Sequence, residues 1–369
     1  MNVTPASSEL RTVESLLGLE APWNGKIVND NILLAFEVVV GYWAVLILAS
    51  LGVVTNSLVM IVFLRQGFRD SVNVSLFSIA VWDQVKCLAG VVYRFDRPLG
   101  LVNPVWGVNW RWMTWQYLVY MPIFSGYVSY ALATYVSVER CLSVSIPFKV
   151  KSLITPRLTS SFMIVLSLVV FGSFSAVFFI YSVEYTHSPV YNASVASVIL
   201  NNLFYAHGEF ISKMYKFLGI FYPAVFCTIM ITTSAIIVFH LKRSAHAFDR
   251  GQSVNSSSAV VAVGDASRAS ANMTSREVKV TKMLLVIIFI YLMDFVPRLS
   301  LYVASFIEPE FYAFRKYHNL MVVTSNFVWI LDFINASGNF FIFMAMSTNF
   351  RKTFYEIYPS CEPKEKEQP

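Results

Sequence analysis

The sequence predicts an all-α membrane protein, a bundle of seven spanning helices. Three observations predict it. Of 369 residues, 56% are hydrophobic and only 14% are charged, where soluble domains carry about 25% charged residues. Apolar stretches of roughly 20 residues or more recur along the chain, each long enough to cross a hydrocarbon layer about 30 Å thick. Lys and Arg gather in alternate connections, which is the orientation signal of membrane proteins. The net charge of +6 therefore reads as membrane orientation, and nucleic acid is not an expected partner.

Taken in order, residues 1–31 form a polar extracellular tail without the basic start and apolar core of a signal peptide. The first span is then expected to act as the targeting signal. The spans are placed at Ile32–Leu64, Asn73–Val92, Trp112–Leu142, Ser160–Tyr181, Tyr215–Leu241, Val278–Phe306 and Asn319–Met346, giving a membrane domain over 32–346. Basic residues follow spans one (Arg65, Arg69), three (Lys149, Lys151, Arg157), five (Lys242, Arg243, Arg250) and seven (Arg351, Lys352). The other connections mix Asp96, Glu184, Glu209, Glu308 and Glu310 with their basic residues. This asymmetry puts the N-terminus outside and the C-terminus inside.

The long inner connection, about 244–275, is rich in Ser, Ala and Val and is expected to be disordered. Its serines are candidate phosphorylation sites. Over 347–369, Asn349 to Tyr358 alternates apolar and charged residues at helical spacing and stops at Pro359. That pattern predicts a short amphipathic helix on the inner membrane surface. Cys361 behind it is a palmitoylation candidate, with an unmodified cysteine as the plain alternative. Asn192, in Asn192-Ala193-Ser194, is the glycosylation candidate on the outer side. Cys87, Cys141 and Cys227 lie in or at the ends of apolar runs, so no extracellular disulfide is expected.

The pivot of the chain is Tyr127–Pro156. An uncharged run ends at Glu139-Arg140-Cys141, with Pro147-Phe148 just beyond and a basic loop after it. Span one carries Gly52-Val53-Val54-Thr55-Asn56, and span two carries Leu76, Ala80 and Asp83. Span five carries Phe221-Tyr222-Pro223, and span six Phe289 with Asp294-Phe295-Val296-Pro297. Span seven ends in Asn335-Ala336-Ser337-Gly338-Asn339, with Phe340 and Phe343 after it. This set resembles the rhodopsin-like G-protein-coupled receptors over about residues 45–357. The narrower pattern around Glu139 and Pro147 resembles expanded invertebrate, molluscan-type orphan peptide or chemosensory receptors. The departures are Phe340 and Phe343 where Pro and Tyr are expected, Ile231 in span five, and Trp115 in place of a disulfide cysteine.

The resemblance implies roles residue by residue. Arg140, with Glu139 beside it and Glu277 on span six as a second partner, is the switch that opens an inner cleft for a heterotrimeric G protein. Cys141, Pro147, Phe148, Asn339 and Phe343 belong to the same coupling region, with Phe148 packing on the G protein. Asn56, Asp83, Ser129, Asn335 and Asn339 form a polar core. The resemblance implies a sodium ion there as an allosteric ligand, since one carboxylate with neutral oxygens suits a hard cation. A hydrogen-bonded core without an ion is the alternative. Pro223, Phe295 and Pro297 form hinges. The resemblance also implies arrestin and receptor kinase as partners.

Charges inside spans are costly and mark function by default. Lys86, Arg298 and Asp332, with Pro122, are ligand-pocket candidates. Two cations and one acid suit an anionic ligand or the polar end of a peptide. The alternative is a salt bridge between spans, Lys86 or Arg298 with Asp332. No nucleophile–base constellation, phosphate loop or metal-ligand spacing points to an enzyme. The function expected is transduction of an extracellular peptide or small chemosensory molecule at the plasma membrane. The rivals are a transporter or channel using the buried charges, and a receptor-like protein that does not couple.

Overall fold

The structure, a computed structural model, describes residues 27–146, 149–150, 154–254, 275–312 and 315–362. The side chains of 243–254 and 275–277 are not among them. Pro147, Phe148, most of the N-terminal tail and the stretch 255–274 lie outside the described residues, as does the side chain of Glu277.

The chain folds into long helices, labelled here in order. Helix α1 runs Asp30–Gln66 and carries a π-helical stretch at Glu37–Ala44. Helix α2 is Ser71–Tyr93, α3 Asp96–Val102, α4 Pro104–Leu118 and α5 Tyr120–Ser145. Helix α6 is Pro156–Phe174, with a 3-10 turn Ser175–Phe179 behind it. A hairpin of β1 Tyr181–Ser188 and β2 Ala193–Leu200 follows. Then come α7 Asn202–Val254, α8 Ser275–Ile307, α9 His318–Met346 and α10 Thr348–Ile357.

Local chemistry sets many of the boundaries. Asn29, Asp70, Asn103, Thr155 and Ser347 each stand in extended backbone and accept from a first-turn N–H, the arrangement that satisfies otherwise orphaned donors. Pro104 and Pro156 occupy first-turn positions, where the missing N–H costs nothing. Gly67 ends α1 at φ 78°, a left-handed conformation that favours glycine.

Among the described residues, six helices are long and apolar enough to cross a membrane: α1, α2 with α3 behind it, α6, α7, α8 and α9. The remaining predicted span, the third, Trp112–Leu142, is divided between α4 and α5. Pro122 explains the break, because it offers no N–H to the Leu118 carbonyl one turn back. Helix α5 has 26 residues, about 39 Å at 1.5 Å per residue, but its Ser- and Tyr-rich sequence is less apolar than the other six. Every residue from Phe124 to Thr134 is buried. This helix is the centre of the bundle, touching α2, α6, α7 and α8.

Two other expectations are corrected. The long connection does not begin at 244, since α7 continues to Val254. The all-α reading missed the hairpin, which pairs Tyr181 with Leu200 through Ser188 with Ala193. Helix α4 lies against this hairpin. Asn109 Oδ1 accepts from the Ala196 N–H across 2.7 Å. Trp115 packs edge-on to Tyr181 with ring centroids 5.1 Å apart. The position where the resemblance expects a disulfide cysteine thus holds the hairpin by packing, and all four cysteines are free. Arg111 bridges back to Asp96 at 2.5 Å. Burial disfavours its charge, yet the adjacent carboxylate leaves the guanidinium pKa raised. Gly107 permits the tight α3–α4 turn, since a Cβ there would sit 2.6 Å from the Asp96 carbonyl oxygen.

Candidate functional site

The site has two parts: a charged core between α2, α5, α8 and α9, and the far end of α5 at Arg140.

Three acids and two cations meet in the core. Asp83, Lys86, Asp294, Arg298 and Asp332 are each at most 4% exposed. A charge buried this deeply is tolerable only when paired and hydrogen-bonded. Ser129 donates to Asp83 across 2.8 Å, and the Asn339 amide donates to its other oxygen across 3.0 Å. Lys86 lies one turn beyond Asp83 on the same face of α2, with Nζ 3.7 Å from the carboxylate. Arg298 of α8 forms an ion pair with Asp332 of α9. Its guanidinium also lies over the rings of Tyr127 and Tyr130, 5.6 and 6.0 Å from their centroids.

Tyr130 links the two halves. Its hydroxyl lies 2.6 Å from Asp294 and 3.1 Å from Asp332. One hydroxyl hydrogen serves one acceptor at a time, and the shorter contact takes it. Asn335 donates to the same Asp294 oxygen across 3.0 Å. Phe295, one of the expected hinge residues, is fully buried with its ring 4.3 Å from that of Tyr130. Pro223 and Pro297 stand inside α7 and α8.

The expected polar core is therefore only partly assembled around Asp83. Ser129 and Asn339 reach it. Asn56 instead donates to the carbonyls of Gly52 and Ala336, at 3.0 and 2.9 Å, and ties α1 to α9. Asn335 serves Asp294. Both side chains that reach Asp83 do so as donors, so they turn hydrogens and not lone pairs toward it. Of the two readings of the pocket charges, the structure contains the interhelical salt bridge, Arg298 with Asp332. Lys86 pairs with Asp83 and not with Asp332. Pro122 is buried in the first turn of α5.

At the other end of α5, Arg140 donates to Glu139 across 2.8 Å. Glu139 is 1% exposed. It accepts from Ser71 at 2.5 Å and Ser75 at 3.4 Å, both on α2. The arginine is thus held to its own helix, and its neighbour is held to α2. Cys141 is buried beside them. Phe343 packs on Phe63 and Phe350, centroids 5.5 and 5.3 Å apart, fastening α9 to α1 and α10. Asn192 is exposed in the hairpin turn with φ 45°. Cys361 is exposed in a 3-10 turn behind α10.

Sequence reasoning missed Tyr130, Ser71 and Ser75. Tyr130 sits in a span as an ordinary aromatic would, and nothing local marks its hydroxyl. The Lys86–Asp83 pair did carry a signal, the i,i+3 spacing.

The fold and site define a helical, multi-pass membrane protein with a buried charge network and an acid–arginine pair at the end of its central helix. Residues 43–361 match the family described as Serpentine type 7TM GPCR chemoreceptor Srw, and the chain belongs to that family. No curated protein matches the chain. The family is a receptor family and not an enzyme family, and its members are multi-pass proteins of the plasma membrane. The match names this chemoreceptor family and not the rhodopsin-like class or a molluscan-type branch.

Proposed function

We propose that the chain is a seven-span chemoreceptor with α5 as its third span, its hairpin end outside the cell and its Arg140 end inside. It binds a small chemosensory molecule or a peptide at the hairpin end. It signals to a heterotrimeric G protein when the Arg140 end opens.

The observation that carries this reading is the arrangement at Arg140. Its guanidinium is held by Glu139, and Glu139 is held by Ser71 of α2. Such an element has two states, closed with the pair intact and open with the arginine released, and a ligand shifts it by binding one state better. The buried charges speak against the transporter or channel alternative, because each has a partner within the bundle: Arg298 with Asp332, Lys86 with Asp83, and Asp294 with Tyr130 and Asn335. The receptor that does not couple is the reading that experiment must separate.

The test is G-protein activation in a heterologous cell, reading several G-protein families together against small water-borne molecules and amidated peptides. A response that Arg140→Ala abolishes at equal surface expression supports the proposal. Silence from surface-expressed protein across the panel, with basal signalling unchanged in Glu139→Ala, would sink coupling.

A further inference from the structure

Asp83 is 0% exposed, and so is Lys86. The two stand one turn apart on α2 with Nζ 3.7 Å from the carboxylate. That ammonium has no hydrogen-bond partner among the described residues. On its other side lies α5, where a Cβ built on Gly126 would sit 3.7 Å from Nζ and 3.9 Å from an Asp332 oxygen. The lysine head therefore rests against Asp83 and beside the backbone of α5 at Gly126. A fully buried lysine bears no role at the surface, and its long stem does nothing here that a methionine could not do. What it adds is one fixed positive charge beside a buried carboxylate.

We infer that Lys86 is the resident counter-ion of Asp83, a cation tethered to the chain in the place where an exchangeable monovalent cation would otherwise sit. Coulomb's law excludes a second cation there. Two like charges at contact distance inside a protein, where screening is far weaker than in water, repel strongly. Ser129 and Asn339 occupy the two Asp83 oxygens as hydrogen-bond donors beside that ammonium. The core is thus neutralised at Asp83 without any ion from solution, and its stability does not follow the sodium concentration. Removing the ammonium while keeping the stem uncovers a carboxylate flanked by a hydroxyl and an amide that can each rotate to offer oxygen. That is a site for a small monovalent cation.

The experiment uses the full-length, detergent-solubilised chain and sodium ion as the probe. Thermal melting midpoints are compared in sodium chloride and in choline chloride at equal ionic strength. Neither ligand nor G protein enters the measurement, so its outcome is independent of the coupling proposal. The wild-type midpoint is expected to be the same in both salts. Lys86→Met is expected to melt lower in choline and to regain stability with sodium in a saturable way, as ligand linkage requires. In Lys86→Met with Asp83→Asn, the sodium effect is expected to vanish. A sodium-specific rise in the wild-type midpoint would overturn the inference. So would a Lys86→Met protein indifferent to the salt, or a sodium effect that survives Asp83→Asn. If Lys86→Met does not fold, the wild-type comparison decides, and Lys86→Gln supplies the second arm.

Discussion

The Tyr130 hydroxyl donates to the Asp294 carboxylate across 2.6 Å, joining the central helix α5 to α8 one turn before Pro297. Asp294 is 3% exposed and has no cation within salt-bridge distance among the described residues. Its charge rests on neutral donors, Tyr130 and Asn335. Tyr130→Phe removes the shorter of the two bonds and leaves a buried acceptor half served. The cost expected is about 1–3 kcal/mol, read as a lowered melting midpoint. An unchanged midpoint would show that the hydroxyl is not needed.

Arg298 and Asp332 stabilise each other mainly by sparing each other an unpaired burial. Arg298→Ala alone is expected to cost about 3–5 kcal/mol, the penalty for stranding one partner of a buried pair. The double variant Arg298→Ala with Asp332→Ala is expected to recover a large part of that loss. A double-mutant cycle on melting midpoints checks it. Strictly additive effects would contradict the pairing.

Ser71 holds Glu139 to α2 at 2.5 Å, and Ser75 supports it at 3.4 Å. Ser71→Ala is expected to loosen Glu139 and raise basal G-protein signalling severalfold at equal surface expression. The effect of Ser75→Ala should be smaller, because 3.4 Å is a weak contact. Equal or reversed effects would remove Ser71 from the closed state.

Phe350 of α10 is 1% exposed and packs between Phe63 and Phe343. Phe350→Ala is expected to cost about 3–5 kcal/mol through lost burial and the cavity left behind. Limited proteolysis should then cut within α10 faster than in wild type. An unchanged cleavage rate would mean that α10 docks by other contacts.

Asn192 should carry an N-linked glycan if the hairpin end faces outward. Asn192→Gln is expected to abolish the gel shift that an endoglycosidase produces. A wild-type protein insensitive to the enzyme, with or without the substitution, would count against that orientation.

Much of the frame was legible in the chain. Apolar runs of spanning length located the long helices, and α10 appears where apolar and charged residues alternate. Asn103-Pro104 and Thr155-Pro156 carry capping chemistry within the dipeptide itself. The hairpin carried a signal too. Tyr181 to Ser188 and Ala193 to Leu200 are rich in β-branched and aromatic residues around Pro189-Val190-Tyr191-Asn192. That pattern stood next to a long apolar run and was absorbed into a helix and a loop. The break between α4 and α5 was likewise written in Pro122, whose effect falls one turn earlier than its own position.

The sequence by itself determined that the chain crosses membranes, roughly where most of its long helices lie and which polar side chains they carry into the bundle. Composition, capping and periodicity are local, and each acts within a turn or two of the residue that causes it. Only the tertiary structure decided who partners whom. Asn56 and Asn335 turn away from Asp83, Lys86 turns toward it, and Arg298 finds Asp332 and not a free cavity. Those choices depend on helix rotation and depth set by packing over the whole bundle, and a buried charge accepts whichever opposite charge that packing brings within reach.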